Sequence, residues 1–330
     1  MWSARVSSFG PWRGGSVVAP TVFHGSTSYP HGSPGPVVTV GNFDGVHLGH
    51  RALVGRAVER ARASGVPACV LTFDPLPIEV LRPEHAGRRL MRLDDRLAAL
   101  GDVGVDHIVV ERFDREFAAH DAAWFADAVL RGRLDASELV LGWDFRFGKD
   151  RGGTPDDLRS LLAVPVEQLA PVLADGEPIS SSRIRAALAR GDVEDAARWL
   201  GRPHRLTGDV VHGDHRGRTI GFPTANVRIP GLLPPALGVY AVVARAGVDA
   251  WGGVANIGVR PTFGGDPEPR LEAHLFGYDG GEALYGRELA VELHHHIREE
   301  RKFPSFPELV AQIRADAERA RELLAPGYAR

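Results

Sequence analysis

The spacing of apolar residues along this chain changes twice. Up to residue 35 no period is sustained, and Gly, Pro and Ser dominate. Such a stretch buries too little surface to offset the entropy of ordering it, so residues 1–35 are expected to form a flexible tail outside any domain. From Val37 onward, short apolar runs alternate with stretches of helical spacing. Residues 37–40, 66–73, 106–110 and 139–141 read as buried strands. Residues 48–63 carry Leu48, Ala52, Ala57 and Ala61 at helical spacing, and helices are also expected near 94–101 and 121–132. Strands and helices in alternation predict a mostly parallel α/β sheet. Two short helices are expected over 181–201, with Ser180 or Ser181 capping the first, Asp192 capping the second and Gly201 ending it.

Gly201-Arg202-Pro203 then interrupts the pattern. A domain boundary is placed there, giving a first domain over 36–201 and a second over 204–330. Beyond it the segments 206–212, 238–245, 251–257, 271–277 and 288–296 are rich in Val and aromatic residues, alternate in polarity, and are separated by Gly and Pro. That texture predicts a small antiparallel barrel or sandwich. A final helix is announced by Ser305 and Glu308 in capping-box spacing. Phe306, Leu309, Ile313, Ala317, Ala320 and Leu324 should give it one apolar face.

Composition narrows the function. The 330 residues include 39 Lys plus Arg and 42 Asp plus Glu, a formal charge of −3, without the basic excess of a nucleic-acid binder. Cys69 is the single cysteine, which excludes an intrachain disulfide and fits a reducing cytoplasm. Its place inside a strand reads as a small buried apolar residue rather than a reactive thiol. No apolar run reaches the length of a membrane span, and the first 35 residues lack a signal-peptide core. The expectation is a cytoplasmic protein whose partners are small molecules, not nucleic acid or membrane, with homo-oligomerisation left open.

Gly41-Asn42-Phe43-Asp44-Gly45-Val46-His47-Leu48-Gly49-His50 leaves the first strand and opens the first helix. A helix N-terminus offers free N–H groups and the positive end of the helix dipole to a phosphate. Gly41, Gly45 and Gly49 let backbone come close. His47 and His50, three apart, project from one side of the first turn and can donate to a phosphoryl oxygen as charge builds on it. A lone histidine there would ordinarily cap or pack locally; the pair following strand and glycines favours chemistry.

This H-x-G-H string resembles the signature of the nucleotidyltransferase superfamily, and the decapeptide resembles the opening motif of the bacterial bifunctional riboflavin kinase/FAD synthetases. Thr72-Phe73-Asp74-Pro75, Leu141-Gly142-Trp143-Asp144-Phe145-Arg146-Phe147-Gly148 and Ile179-Ser180-Ser181-Ser182-Arg183-Ile184-Arg185 follow in that family's order. So do Gly221-Phe222-Pro223-Thr224-Ala225-Asn226, the stretch 253–262, Glu272-Ala273-His274, Leu284-Tyr285-Gly286 and 298–303. The resemblance spans about residues 36 to 324. It implies a Rossmann-like α/β nucleotidyltransferase domain followed by an antiparallel β-barrel riboflavin kinase domain with a C-terminal helix. It also implies two reactions: ATP-dependent phosphorylation of riboflavin to FMN, then adenylylation of FMN by ATP to FAD with release of pyrophosphate.

Carried over by residue, the resemblance implies that His47 and His50 contact the ATP phosphates, with Gly41, Asn42, Phe43, Asp44, Gly45 and Gly49 forming the loop. The alternative for Asp44 is a structural role, fixing the turn. Ser181, Ser182 and Arg183 would hold the triphosphate, where a guanidinium fork suits phosphate oxygens. Asp144 and Phe145 would shape the nucleotide and flavin region. In the second domain Thr224 and Asn226 supply hard oxygens suited to Mg²⁺, and Gly213, Gly217 and Gly221 belong to a flap over ATP. Asn256 would border the flavin, Arg298 lies in the 298–303 stretch assigned to the same site, and Glu272 is the candidate base for the ribityl hydroxyl. Leu76 stands where the family often has a histidine, and Ser182 where threonine is usual. Those two departures motivate an alternative in which only the kinase activity is retained; a non-catalytic flavin sensor is a third reading. His294-His295-His296 lacks a further ligand at suitable spacing and reads as a partly exposed strand.

Overall fold

Val37–Val40 (β2) is buried at every position, as expected of a central parallel strand covered on both faces. The computed structural model describes residues 19–30, 35–213, 222–260, 268–278 and 282–328. The described chain divides into two compact units. One holds 19–87 and 93–180; the other holds 88–92 and 181–328. The helices Ser181–Ala189 and Val193–Leu200, which precede Gly201-Arg202-Pro203, thus pack with the second unit.

The first unit is a six-stranded parallel sheet. To β2 it adds Thr21–His24 (β1), Ala68–Phe73 (β3), His107–Glu111 (β4), Glu138–Gly142 (β5) and Val166–Leu169 (β6). Their order is β1-β4-β3-β2-β5-β6. From β2 the chain builds first toward one edge, through β3 and β4, and then returns to add β5 on the other side of β2. The order of construction reverses between β2 and β5, and in open α/β sheets ligands bind beyond the carboxyl ends of strands at such a reversal. Cys69 is buried in β3, and burial pushes its thiol well above the ordinary range.

The expectation of a tail over 1–35 is corrected by the residues described there. Residues 21–24 form the edge strand β1, paired in parallel with β4 from Thr21↔His107 to His24↔Val110. The tail reading fails over this stretch because Phe23 and Tyr29 pack on the sheet, and the Tyr29 hydroxyl meets His107 Nδ1 at 2.7 Å. Residues 1–18 and 31–34 lie outside the described residues. The helix expected near 121–132 begins as Ala122–Trp124 and continues as a π-helix over Phe125–Arg133, which apolar periodicity at 3.6 does not distinguish. A two-stranded ribbon, Leu173–Ala174 (β7) with Glu177–Pro178 (β8), has strands of two residues each, too short for alternation to mark.

The second unit is a closed antiparallel barrel, which decides between barrel and sandwich. Its strands are His204–Val211 (β9), Ala225–Arg228 (β10), Gly238–Ala246 (β11), Asp249–Arg260 (β12), Glu268–Leu275 (β13) and Glu288–Glu299 (β14), in the order β10-β13-β12-β11-β14-β9. β10 is four residues long and half polar, so alternation did not reveal it. The helix Phe306–Leu323 lays Ala317, Ala320 and neighbouring Leu324 on Val239, Ala241, Val243 and Val254. Phe306, expected on that face, is 62% exposed. Ser305 is the N-cap residue, but its hydroxyl donates to the Glu308 carboxylate at 2.8 Å instead of accepting from backbone N–H. Asp192 likewise occupies its N-cap position without a side-chain cap bond, and its carboxylate takes Arg190 Nε at 2.9 Å.

Candidate active sites

In the first unit, the loop from Gly41 to His47 leaves β2 at the reversal point. Gly41 N–H donates to Leu71 O at 3.1 Å, so the loop starts in register with β3. It then turns sharply: Phe43, Gly45 and Val46 have φ of 51°, 89° and 37°. Glycine takes such a value freely. For Phe43 and Val46 it is strained, by about 1–3 kcal/mol each, and strain of this kind is held only where surroundings over-determine it. Burial supplies the restraint, because Phe43 and Val46 are fully enclosed and Asp44 is 5% exposed. The buried setting of Asp44 suits a part in fixing the turn.

His47 is the N-cap of the helix Leu48–Ser64, and its Nδ1 accepts the backbone N–H of His50 at 3.3 Å. His47 therefore fills the local capping role. With Nδ1 committed as acceptor, the neutral ring carries its proton on Nε2, which becomes the donor. The two imidazoles stack at 3.6 Å between centroids and 17° between planes. The edge of His50 meets Phe43 at 5.2 Å, tying the pair to the strained turn. A Cβ on Gly49 would lie 3.1 Å from His47 Cε1, so glycine there keeps the His47 ring seated.

Two further loops border the same reversal point. Beyond β5, Asp144 is exposed and Phe145 is half-buried, stacked 5.6 Å from Phe147 at 18°. Beyond β3, Leu76 is 4% exposed, so an apolar residue is enclosed where the family often has an imidazole. Arg96 belongs to no motif. It lies on the helix Leu93–Gly101, is 2% exposed, and donates from Nη1 to Asn42 O and from Nη2 to Phe73 O, each at 2.9 Å. Asp74 is 3.5 Å from the same Nη2. One guanidinium thus joins the loop after β2 to the loop after β3. Only an ordinary helical arginine is visible in sequence, and no motif contains it.

Ser181, Ser182 and Arg183 open the helix Ser181–Ala189 in the second unit. The Arg183 guanidinium lies 4.1 Å above the ring of Trp199, a cation–π contact that holds it flat.

On the barrel, Asn226 pairs with Glu272, and Glu272 with Asn256, across β10, β13 and β12. Residues directly opposite in antiparallel strands share a face, so the three make one polar row. The rows on either side, Ala225/Ala273/Ala255 and Val227/Leu271/Ile257, are buried and fill the barrel, so the polar row faces outward. Arg270 donates to Asn226 Oδ1 from Nε at 3.1 Å and from Nη2 at 2.7 Å, and its Nε lies 2.7 Å from Glu272 Oε1. Asn256 Nδ2 donates to Glu300 Oε1 at 3.3 Å. Gly213 has a steric reason: a Cβ there would fall 2.1 Å from Asn226 Nδ2. Thr224 directly precedes β10 and is half-buried. Hard oxygens from Thr224 and Asn226 suit Mg²⁺. Asn226 Oδ1 already accepts two bonds from a cation, so the residues present fit a cation at this point.

Gly217 and Gly221 lie outside the described residues. Arg298 is committed elsewhere: Nε and Nη2 grip the buried carboxylate of Asp316 at 3.0 and 2.7 Å, and Nη1 donates to Glu299 O at 2.9 Å. That ion pair fastens β14 to the C-terminal helix. Among the three histidines of β14, His295 faces Glu194 at 3.1 Å and His296 leans on Tyr240 at 4.9 Å. Among the described residues no group of three or more His, Cys, Asp or Glu could hold a metal ion. No helix among them is long and apolar enough to cross a membrane.

A histidine pair at a parallel-sheet reversal and a small barrel with an oxygen-rich outer row mark a two-unit transferase that handles phosphoryl groups. The comparisons agree. A family model described as FAD synthetase matches residues 30–183, and one described as riboflavin kinase matches 200–324. A Pseudomonas fluorescens protein is 43% identical over 295 residues, covering 88% of this chain and 94% of its own. One from Escherichia coli K12 is 43% identical, covering 87% and 92%, and one from Bacillus subtilis is 40% identical, covering 86% and 91%. All three are named bifunctional riboflavin kinase/FMN adenylyltransferase. A solved structure from Streptococcus pneumoniae, described as a macrolide-efflux protein, aligns with TM-score 0.82 and 33% identity over 92% of this chain and 99% of its own. The chain belongs to the bifunctional riboflavin kinase/FMN adenylyltransferase family.

Proposed function

We propose that this chain makes FMN and then FAD, one reaction in each domain, with 204–330 as the kinase domain and 36–201 as the adenylyltransferase domain. The observation that carries the reading is the His47–His50 pair, capped, stacked and aimed from the first turn of a helix at a sheet reversal. A phosphate oxygen of FMN would attack the α-phosphorus of ATP there, forming the new P–O–P bond as pyrophosphate leaves. Nε2–H of His47, the helix N-terminus and His50 would stabilise the charge that builds on the phosphoryl oxygens. Ser181, Ser182 and Arg183 would hold the leaving pyrophosphate, and Asp144 with Phe145 would border the nucleotide and flavin.

In the barrel, the terminal ribityl hydroxyl of riboflavin would attack the γ-phosphorus of ATP. Glu272 would accept its proton, and ADP would leave. Thr224 and Asn226 would hold Mg²⁺, which supplies charge neutralisation and alignment of the phosphates when bound. Asn256 would border the flavin. Arg298 would act through its pairing with Asp316, keeping the 298–303 stretch in place. Both reactions draw on ATP, in keeping with the cytoplasm expected from the lone cysteine.

Purified protein incubated with riboflavin, ATP and Mg²⁺ and resolved by chromatography tests this directly. Both FMN and FAD are expected. FMN alone would refute the adenylyltransferase half, and neither product would refute the whole.

A further inference from the structure

The contact that stands out on the barrel is the grip of Arg270 on two groups the kinase reaction needs. The register partner of Arg270 on β12 is Gly258, which places no side chain beside it. The Glu300 carboxylate reaches over that glycine, since a Cβ there would lie 2.7 Å from Glu300 Oε1; the guanidinium lies along the polar row, 27% exposed in its side chain against 32% for Glu272. It is bonded to the carbonyl oxygen of Asn226 and to the carboxylate of Glu272 together.

We infer that Arg270 is an internal counter-cation, holding Asn226 and Glu272 in the unliganded barrel and displaced when a divalent cation with its nucleotide is seated. This rests on the kinase reading of the barrel. The reasoning is positional. Magnesium binds its oxygen ligands at about 2.1 Å, inside the 2.7 Å at which Nη2 approaches Asn226 Oδ1. A metal on that oxygen would meet a guanidinium carrying charge of the same sign, in the same lone-pair region, so the two occupants exclude one another. The exchange is feasible because a partly exposed ion pair is screened and weak. While Arg270 is in place, Glu272 is also engaged, so the base is released in the same movement that opens the metal position. Arg270 is then a positioning residue that couples metal arrival to release of the base.

The test is Mn²⁺ binding to the full chain without nucleotide, followed by electron paramagnetic resonance of the free ion. Arg270→Met should bind Mn²⁺ about tenfold more tightly at one site than the unaltered chain, the scale of a lost charge-assisted competitor. Adding Asn226→Ala to Arg270→Met should abolish the gain. Arg228→Gln removes a charge of the same sign from β10, where Arg228 is exposed, and should shift binding less than twofold. Arg270→Gln repeats the measurement should the Met variant unfold. Equal affinity in the Arg270 variants and the unaltered chain would overturn the inference, as would equal shifts from Arg270 and Arg228. If the unaltered chain forms no FMN, the kinase reading fails. If it forms FMN and Mn²⁺ affinity ignores Arg270, the inference alone fails.

Discussion

Replacing Arg96 with methionine keeps most of the buried stem and removes the head that joins two loops. Two bonds at 2.9 Å to the carbonyls of Asn42 and Phe73 are lost, together with the neighbouring charge for Asp74 at 3.5 Å. Hydrogen bonds from a charged donor are worth about 1.5–3 kcal/mol each, so two give about 3–6 kcal/mol, in line with about 3–5 kcal/mol for breaking a buried charged pair. The loss falls beside Phe43, whose φ of 51° is held by its surroundings. Part of it should therefore appear as relaxation of the loop rather than unfolding of the unit. A tilt of His47 that sacrifices about 3 kcal/mol of transition-state stabilisation lowers the rate roughly a hundredfold. The assay is FAD formed from FMN and ATP, with FMN formation from riboflavin as internal control. Hydrogen exchange over residues 38–50 and 70–76 reads the loops themselves, since a two-unit chain gives no single unfolding free energy. FAD formation within threefold of the unaltered chain, with exchange unchanged, would refute the idea that Arg96 sets this loop.

Other outcomes follow from the same geometry. His47→Ala with His50→Ala should abolish FAD formation while FMN formation persists; retention of both products removes the histidines from the chemistry. Gly213→Ala should depress FMN formation at least tenfold, because its Cβ would fall 2.1 Å from Asn226 Nδ2 and must push that side chain out of the polar row. The barrel should lose stability in acid in two stages. Burial lowers His204 to about 4, partly offset by its bond to Leu233 O. The unfolded chain therefore binds the extra proton first, and stability present above about pH 6.5 falls as pH drops toward 4. Burial pushes the Glu292 carboxyl up, but His294, Arg205 and Arg245 outweigh it and hold it at about 2. Its contribution is complete above the ordinary carboxylate range and is lost as pH falls through about 2. Hydrogen exchange over β9 and β14 against pH should show both stages, and His204→Asn should flatten the upper one.

What could be read in the sequence and what could not divide along physical lines. The buried parallel strands and the Leu48–Ser64 helix were legible because core position and periodicity are the same fact. His47 and His50 were legible as a candidate pair because imidazoles, cap and glycines sit within ten consecutive residues. Arg96 was not, since its function consists of two carbonyls brought to it by separate strands. The grip of Arg270 on Asn226 was hidden for the same reason: register, not spacing, makes them neighbours. Arg298 shows the converse, a motif arginine whose donors are taken by Asp316, a partner no motif contains. β1 escaped because four residues in a Gly- and Pro-rich stretch give no period, although Phe23 and Tyr29 were the apolar clue.

That strand also sets an order of events. β1 is made first on the ribosome, yet its register partner is β4, so it cannot be placed until the chain has grown past residue 111. Until then the nascent sheet grows outward from β2, and the segment carrying Phe23 and Tyr29 waits as exposed apolar chain. After β4 forms, β1 closes an edge whose unpaired N–H and C=O groups would otherwise recruit a strand from a neighbouring chain. A gene trimmed to begin at residue 36 would encode both sets of signature motifs and still yield protein prone to pairing edge to edge.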